Sequence, residues 1–225
     1  GADSESCRIR TLLRHPLAKR YVGTVRGVDI AKYRDERLAT VSNGSVRREL
    51  TILSQVFVVA RKEWDVFVSN PVREISLPAP NPARCRRLQY GSPGLDSEET
   101  RLLSACAHCR NPFLLPIVRL AIETAMRQSE LVGLRWQDID LHRRTAYLPE
   151  TKNGNPRTVP LSTVAGRILE SLPRSVTGEV FPGATTNAIK KAFIRAVRKA
   201  SIGDFHFHDL RHEGTTRLFE RGLDI

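Results

Sequence analysis

The stretch Phe207-His208-Asp209-Leu210-Arg211-His212 is the most specific signal in the sequence. At the start of a helix, His208 and Arg211 lie one turn apart and share a face. Both side chains can therefore reach a single phosphate group. The alternative for His208 is a helix-capping or core histidine, and His212 fits a supporting role better than a direct one.

A second segment lies upstream and reads Met126-Arg127-Gln128-Ser129-Glu130-Leu131-Val132-Gly133-Leu134-Arg135-Trp136. It places Arg127 at the opening of a short helix, with the acidic Glu130 three positions later. Taken alone, Arg127 has the pattern of an ordinary surface arginine. Glu130 has the pattern of a carboxylate in the first turn of a helix, where the helix dipole favours negative charge.

A third segment lies between the other two. The runs Thr145–Leu148 and Arg157–Leu161 flank Asn153-Gly154, a dipeptide that favours a tight β-hairpin turn. Lys152 stands beside this turn. A lysine in such a place is ordinarily a solvated charge on a sheet edge, so only its order relative to the other segments marks it.

In this order and spacing, the three segments resemble the active-site boxes of tyrosine recombinases of the phage-integrase type. The resemblance implies a mainly α fold with a small β-hairpin or sheet, in which a helical core-binding domain precedes an α+β catalytic domain. It also implies site-specific cleavage and rejoining of DNA through a 3′-phosphotyrosine intermediate. The implied catalytic residues are Arg127, Lys152, His208 and Arg211, with Glu130 and His212 supporting them.

These residue types suit phosphoryl transfer without a metal or cofactor. Attack on a phosphodiester builds charge on the nonbridging oxygens, and fixed cations stabilise that charge. Guanidinium groups form planar bidentate hydrogen bonds and stay charged, so Arg127 and Arg211 are expected to clamp the phosphate. By resemblance, Lys152 donates a proton to the leaving 5′-hydroxyl. His208 titrates near neutrality and can help to take the proton of the nucleophile or hold the phosphate.

The tyrosine nucleophile of such enzymes follows the box around Arg211. The four tyrosines of this sequence, at positions 21, 33, 90 and 147, all precede that box. The sequence therefore predicts a chain that stops before its nucleophile and is inactive by itself. Two other functions remain open: an inert DNA-binding protein of the same fold and a relaxase similar to type IB topoisomerases.

The net charge of +12 and a pI near 10.2 favour a polyanionic partner. Residues 1–90 contain 17 basic and nine acidic side chains, whereas residues 91–225 contain 19 and 15. The excess thus lies in the first part of the chain, which is expected to contact the phosphates of double-stranded DNA. The candidate DNA-binding residues are Lys32, Arg34, Arg37, Arg84, Arg86 and Arg87.

Apolar spacing and breaker residues divide the chain into a helical domain (1–75), a basic, proline-rich linker (76–95) and a catalytic domain (96–225). In the first domain, Ser45 caps a helix through Trp64, and Asp29 caps one through Leu38. In the third, Asp96 and Glu99 form a capping box. Further helices are expected over residues 117–126, 163–171, 187–200 and 209–221.

The sequence lacks recognisable features of membrane-spanning, secreted and metal-binding proteins. No apolar run is long enough to span a bilayer and no signal peptide is recognisable, so the cytosol or the nucleoid is the expected location. Cys106-x-x-Cys109 around His108 suggests zinc, but no second ligand pair accompanies it, and no metal is expected. By resemblance, the full-length protein is expected to act as a homo-tetramer on DNA.

Overall fold

The computed structural model describes residues 2–149 and 154–222, with side chains from residue 4 onward. The chain forms two compact units, Gly1–Ala83 and Arg84–Ile225. This boundary lies inside the segment that the sequence marks as a linker. Residues 76–95 contain no helix, and their only β-pairing is an isolated bridge between Ser92 and Leu95.

The first unit is all helical. Its helices are α1 (Ala2–Arg14), α2 (Gly27–Leu38) and α3 (Asn43–Glu63), with 3-10 turns at Pro16–Lys19, Val22–Thr24 and Pro71–Glu74. Its core contains Ile30 and Tyr33 from α2 and Val46, Leu50 and Phe57 from α3. The apolar face expected for α3 is therefore confirmed, except at Trp64, which ends the helix with 61% exposure.

A buried carboxylate ties α2 to α3. Glu49 is 3% exposed and accepts hydrogen bonds from the Tyr33 hydroxyl at 2.6 Å and from Arg37 Nη2 at 2.8 Å. Burial of Tyr33, together with its hydrogen bond to Glu49, raises the pKa of the phenol. These hydrogen bonds thus give partners to the Tyr33 hydroxyl and the Glu49 carboxylate, which are buried in the core.

Within the part of the chain that the structure describes, the second unit contains six helices and a small sheet. The helices are α4 (Glu98–Ala107), α5 (Leu114–Thr124), α6 (Gln128–Val132), α7 (Thr163–Glu170), α8 (Thr186–Lys199) and α9 (Phe207–Glu220). The strands are β1 (Ile139–Asp140), β2 (Thr145–Leu148) and β3 (Arg157–Pro160), in antiparallel order β1-β2-β3. The expected fold class, mainly α with a small sheet, is confirmed.

Helix α5 is the centre of this unit because it is apolar on most of its surface. Leu114, Ile117, Val118 and Leu120 are each at most 1% exposed. Helix α9 approaches α5 so closely that a Cβ placed on Gly214 would lie 2.5 Å from the carbonyl oxygen of Ile122. A glycine at this position is therefore required for the two helices to pack.

The paired strands confirm the antiparallel hairpin, with Leu148 opposite Arg157. Residues 149–156 connect the two strands, and residues 150–153 of this connection lie outside the described part of the chain. Gly154 has a φ of 83°, which suits a turn glycine. Asn153 lies outside the described residues.

Several expected helix starts are wrong by a few residues. Helix α3 begins at Asn43 after Ser42, so Ser45 does not cap it. Asp29 lies in the first turn of α2 and accepts a hydrogen bond from the Arg26 N–H at 2.9 Å. Ser97, and not Asp96, caps α4. In these cases capping-type residues stand close together, and packing selects which one begins the helix.

Candidate active site

Helix α6 presents Arg127 and Glu130 as a bonded pair. Arg127 precedes the helix in an extended conformation, and its N–H and Nη1 each donate to Glu130 at 2.8 Å. The Glu130 side chain is only 3% exposed. Both bonds run from Arg127 to Glu130: the first is one half of a capping box, and the second sets the direction of the Arg127 guanidinium.

Arg157, at the start of β3, completes this group, and the sequence reasoning missed it. Its Nη2 donates to the second oxygen of Glu130 at 2.7 Å. Burial alone would raise the pKa of Glu130, but the hydrogen bonds from Arg127 and Arg157 lower it overall. The one sequence signal for Arg157 is its position at the opening of the strand that follows the hairpin turn.

Arg211 comes to the same place from α9. Its Nη1 donates to the carbonyl oxygen of Ala125, the residue that ends α5 in a left-handed conformation with φ 51°. Burial, followed by the positive charges of Arg127 and Arg157, lowers the pKa of Arg211. Three guanidinium groups and one carboxylate therefore form a cluster with a net positive charge.

His208 and His212 stand on one side of α9 with their rings edge to face, 5.0 Å between centroids. Partial desolvation, together with the positive charges of His212 and Arg211, lowers the pKa of His208. This lowering favours the neutral form of the His208 imidazole. A neutral imidazole has a nitrogen that can accept a proton, as a general base requires.

A cavity of about 620 Å³ lies beside this cluster. Arg157 and Arg211 form part of its wall, together with Arg143, Arg144 and Arg221. Glu123 also lines it, and donation from the Ser162 hydroxyl at 2.6 Å satisfies its carboxylate. A concave, strongly cationic surface of this kind fits an anionic ligand.

The structure thus brings four of the expected site residues, Arg127, Glu130, His208 and Arg211, into one region of the second unit, with His212 beside His208. Lys152 lies outside the described residues.

The candidate DNA-binding residues are distributed differently. In the first unit, Lys32 is exposed, Arg34 pairs with Asp35, and Arg37 pairs with the buried Glu49. In the second unit, Arg84, Arg86 and Arg87 each form ion pairs, with Asp209, Glu98 and Glu213 respectively. Their role in DNA binding stays a prediction.

No group of metal-ligating side chains exists among residues 2–149 and 154–222. Cys106 is buried, and burial raises the pKa of its thiol to about 12, which disfavours the thiolate that zinc requires. Within the same described residues, no helix is long and apolar enough to cross a membrane.

Comparison with known proteins finds relatives along nearly the whole chain. The model of the phage integrase family matches residues 95–225. A shufflon-specific DNA recombinase of Escherichia coli is 42% identical over 99% of this chain, and a putative integrase/recombinase of Haemophilus influenzae is 32% identical over 98%. The chain spans 58% of the length of the first relative and 73% of the second.

Solved structures share the fold. A lambda integrase dimer bound to a COC′ core site has a TM-score of 0.74 at 20% identity, covering 98% of this chain and 82% of that one. A Tn1549 transposon integrase in complex with a circular intermediate DNA has a TM-score of 0.77 at 18% identity, covering 97% and 81%. With the family model matching more than half of the chain, this protein belongs to the phage integrase family of tyrosine recombinases.

Proposed function

We propose that this protein is a site-specific DNA recombinase that binds duplex DNA and cleaves and rejoins its strands through a 3′-phosphotyrosine intermediate. The observation that carries the proposal is that Arg127 and Arg157 share the Glu130 carboxylate, while Arg157 and Arg211 line one cationic cavity. Two guanidinium groups on one phosphate stabilise the charge that develops during attack.

The remaining roles follow from the same arrangement. Glu130 orients Arg127 through two hydrogen bonds and is itself buried, so it acts on the arginine and not on the DNA. Neutral His208 takes the proton of the attacking hydroxyl or bonds the phosphate, and His212 supports it. Lys152 protonates the leaving 5′-hydroxyl, a role that rests on the family resemblance.

Duplex binding can be tested with the 225-residue chain. Because Lys and Arg displace counterions from DNA, affinity is expected to fall by roughly 10³-fold or more between about 50 and 200 mM salt. Fluorescence anisotropy with a labelled duplex measures this slope. A flat slope, or a preference for single-stranded RNA, would contradict the proposal.

The catalytic roles can be tested with the full-length gene product. Arg127→Ala or Arg211→Ala should lower the rate of strand cleavage about a hundredfold or more while DNA affinity changes little. Lys190→Ala, an exposed cation of α8, is the matched control and should keep the wild-type rate. A 5′-bridging phosphorothiolate leaves without a proton, so it should rescue Lys152→Ala and not Arg211→Ala. Equal rescue of both variants would reverse the assigned roles.

The nucleophile can be tested with a nicked suicide substrate. No tyrosine follows Arg211 in the 225 residues, and covalent transfer needs a positioned nucleophile. This polypeptide alone should therefore give no covalent DNA adduct on a denaturing gel. An adduct that appears only with a second, tyrosine-bearing protomer would support a competent phosphate clamp over an inert DNA-binding protein.

Assembly is the last part of the proposal. One solved structure of the same fold is a lambda integrase tetramer bound to a Holliday junction. By analogy, we propose a homo-tetramer on DNA for the full-length protein, acting on DNA in the nucleoid.

A further inference from the structure

A short segment at the start of the second unit is bonded along α9. Arg84 pairs with Asp204 and Asp209, and Arg87 pairs with Glu213 and Glu220. The Leu88 N–H also donates to Glu213, at 3.1 Å. Arg86 pairs with Glu98 of α4. We call residues 84–88 the arginine strap.

Asp209 is the innermost partner of this strap. It has no exposed surface, although it lies between His208 and Arg211 in the sequence. Its carboxylate accepts from the His206 N–H at 2.7 Å, and so it holds the first turn of α9. It also accepts from Arg84 Nε at 2.6 Å and Arg84 Nη2 at 2.8 Å. Burial alone would raise the pKa of Asp209, but these bonds lower it overall.

The donors of Arg84 are largely committed to this end of α9. Nε and Nη2 bond Asp209, Nη1 bonds the Asp204 carboxylate at 2.9 Å, and Nη2 also bonds the Asp204 carbonyl oxygen. All three nitrogens of the guanidinium therefore have protein acceptors. These four bonds leave one N–H of Nη1, so a bidentate phosphate contact would require Arg84 to give up at least one bond that holds this end of α9.

We propose that Arg84 is a positioning residue for strand cleavage, holding the start of α9 through Asp209 so that His208 and Arg211 face the scissile phosphate. The arginine strap then replaces the DNA-contact role that the sequence suggested for Arg84, Arg86 and Arg87. This inference rests on the proposed recombinase function. The titration of His208 does not depend on that function, so the inference about Arg84 and the proposed function can fail separately.

The charges around His208 give a readout that simple loss of stability would not move. On its own helix these are His212 and Arg211, which lower the pKa of His208, and Asp209, which raises it; Arg127, from the turn before α6, also lowers it. With Arg84 removed, the negative charge of Asp209 is no longer balanced. The pKa of His208 should then rise.

The test compares Arg84→Gln, Arg84→Lys and the control Arg101→Gln. Arg101 is a half-buried arginine of the same unit that donates to the Ala200 carbonyl oxygen at 2.8 Å and not to Asp204 or Asp209. In the full-length gene product, Arg84→Gln should lower the cleavage rate at saturating DNA roughly tenfold or more, with affinity and salt slope within about twofold of wild type. Arg84→Lys should recover part of the rate, and Arg101→Gln should keep it.

In the 225-residue chain, titration of His208 by NMR should show a higher pKa in Arg84→Gln than in wild type or Arg101→Gln. The inference is overturned if Arg84→Gln weakens DNA binding and lowers the salt slope by about one, since that is the signature of a phosphate contact. An unchanged pKa of His208, or equal loss of rate in Arg84→Gln and Arg101→Gln, would also overturn it. A wild-type protein that cleaves nothing would count against the proposed function, while the NMR comparison would still decide the role of Arg84.

Discussion

Replacement of Glu130 by alanine tests whether the cationic cluster depends on one buried carboxylate. Glu130 accepts three hydrogen bonds, from the Arg127 N–H at 2.8 Å, Arg127 Nη1 at 2.8 Å and Arg157 Nη2 at 2.7 Å. Its side chain is 3% exposed, so water does not compete for these bonds. Removal of one partner of a buried ion pair costs about 3–5 kcal/mol because the other charges stay behind without compensation.

That cost predicts a large loss of stability. For a unit of this size, about 3–5 kcal/mol lowers Tm by roughly 6–20 °C. Urea unfolding followed by the fluorescence of Trp136, which is buried in the same unit, measures the change. Glu170→Ala, at an exposed position at the end of α7, is the control and should stay within about 0.5 kcal/mol of wild type.

The contribution of Glu130 to the free energy of unfolding depends on pH, and the lowered pKa of Glu130 fixes the direction of that dependence. The pKa of Glu130 is lower in the folded protein than its ordinary value, so its contribution to stability is present above that ordinary value. The contribution is lost as pH falls through the lowered pKa of the folded state. Glu130→Gln cannot titrate, so the difference in stability between wild type and Glu130→Gln should shrink as pH is lowered through this range.

A double-mutant cycle isolates the bond to Arg157. Glu130→Ala and Arg157→Ala, alone and combined, should show a coupling energy of about 1 kcal/mol or more. If Glu130→Ala unfolds within about 0.5 kcal/mol of wild type, or if the two changes are additive, the carboxylate does not organise the cluster and the reasoning is refuted.

The other predictions concern packing and thiol chemistry. Gly214→Ala should destabilise the second unit by about 2 kcal/mol or more, because its Cβ would lie 2.5 Å from the backbone oxygen of Ile122. Gly166→Ala is the control: the space around Gly166 is open, so this change should be neutral or should stabilise the unit by up to about 1 kcal/mol. Thermal melts of the two variants distinguish them, and equal melting temperatures would contradict the close approach. Buried Cys106, with its thiol pKa raised to about 12, should resist a disulfide reagent at pH 8 that modifies exposed Cys7; rapid labelling of Cys106 in the native protein would contradict this burial.

Local sequence was sufficient for much of the fold. Apolar spacing placed the long helix α3, and the paired runs around residues 149–156 gave an antiparallel hairpin. These features depend on contacts between residues close in sequence, which periodicity reports directly. Helix starts were less accurate because several capping residues compete near each one. Helix α1 was missed altogether.

The order of three sequence segments also indicates the chemical types at the site, and it predicts Arg127, Glu130, His208 and Arg211 as site residues. Those segments do not predict which residue pairs with each charged side chain. Arg157 meets Glu130 from 27 positions away, and Arg84 meets Asp209 from 125 positions away.

A charge in the sequence has no burial and no neighbour until the chain folds. For this reason Arg84, Arg86 and Arg87 had the pattern of a solvated basic linker, although each forms an ion pair with a carboxylate that is at most 8% exposed. Hydrophobic pattern and motif order therefore specify which elements form and which chemistry they carry. Long-range packing specifies which arginines bond to the protein itself and which remain available for a phosphate.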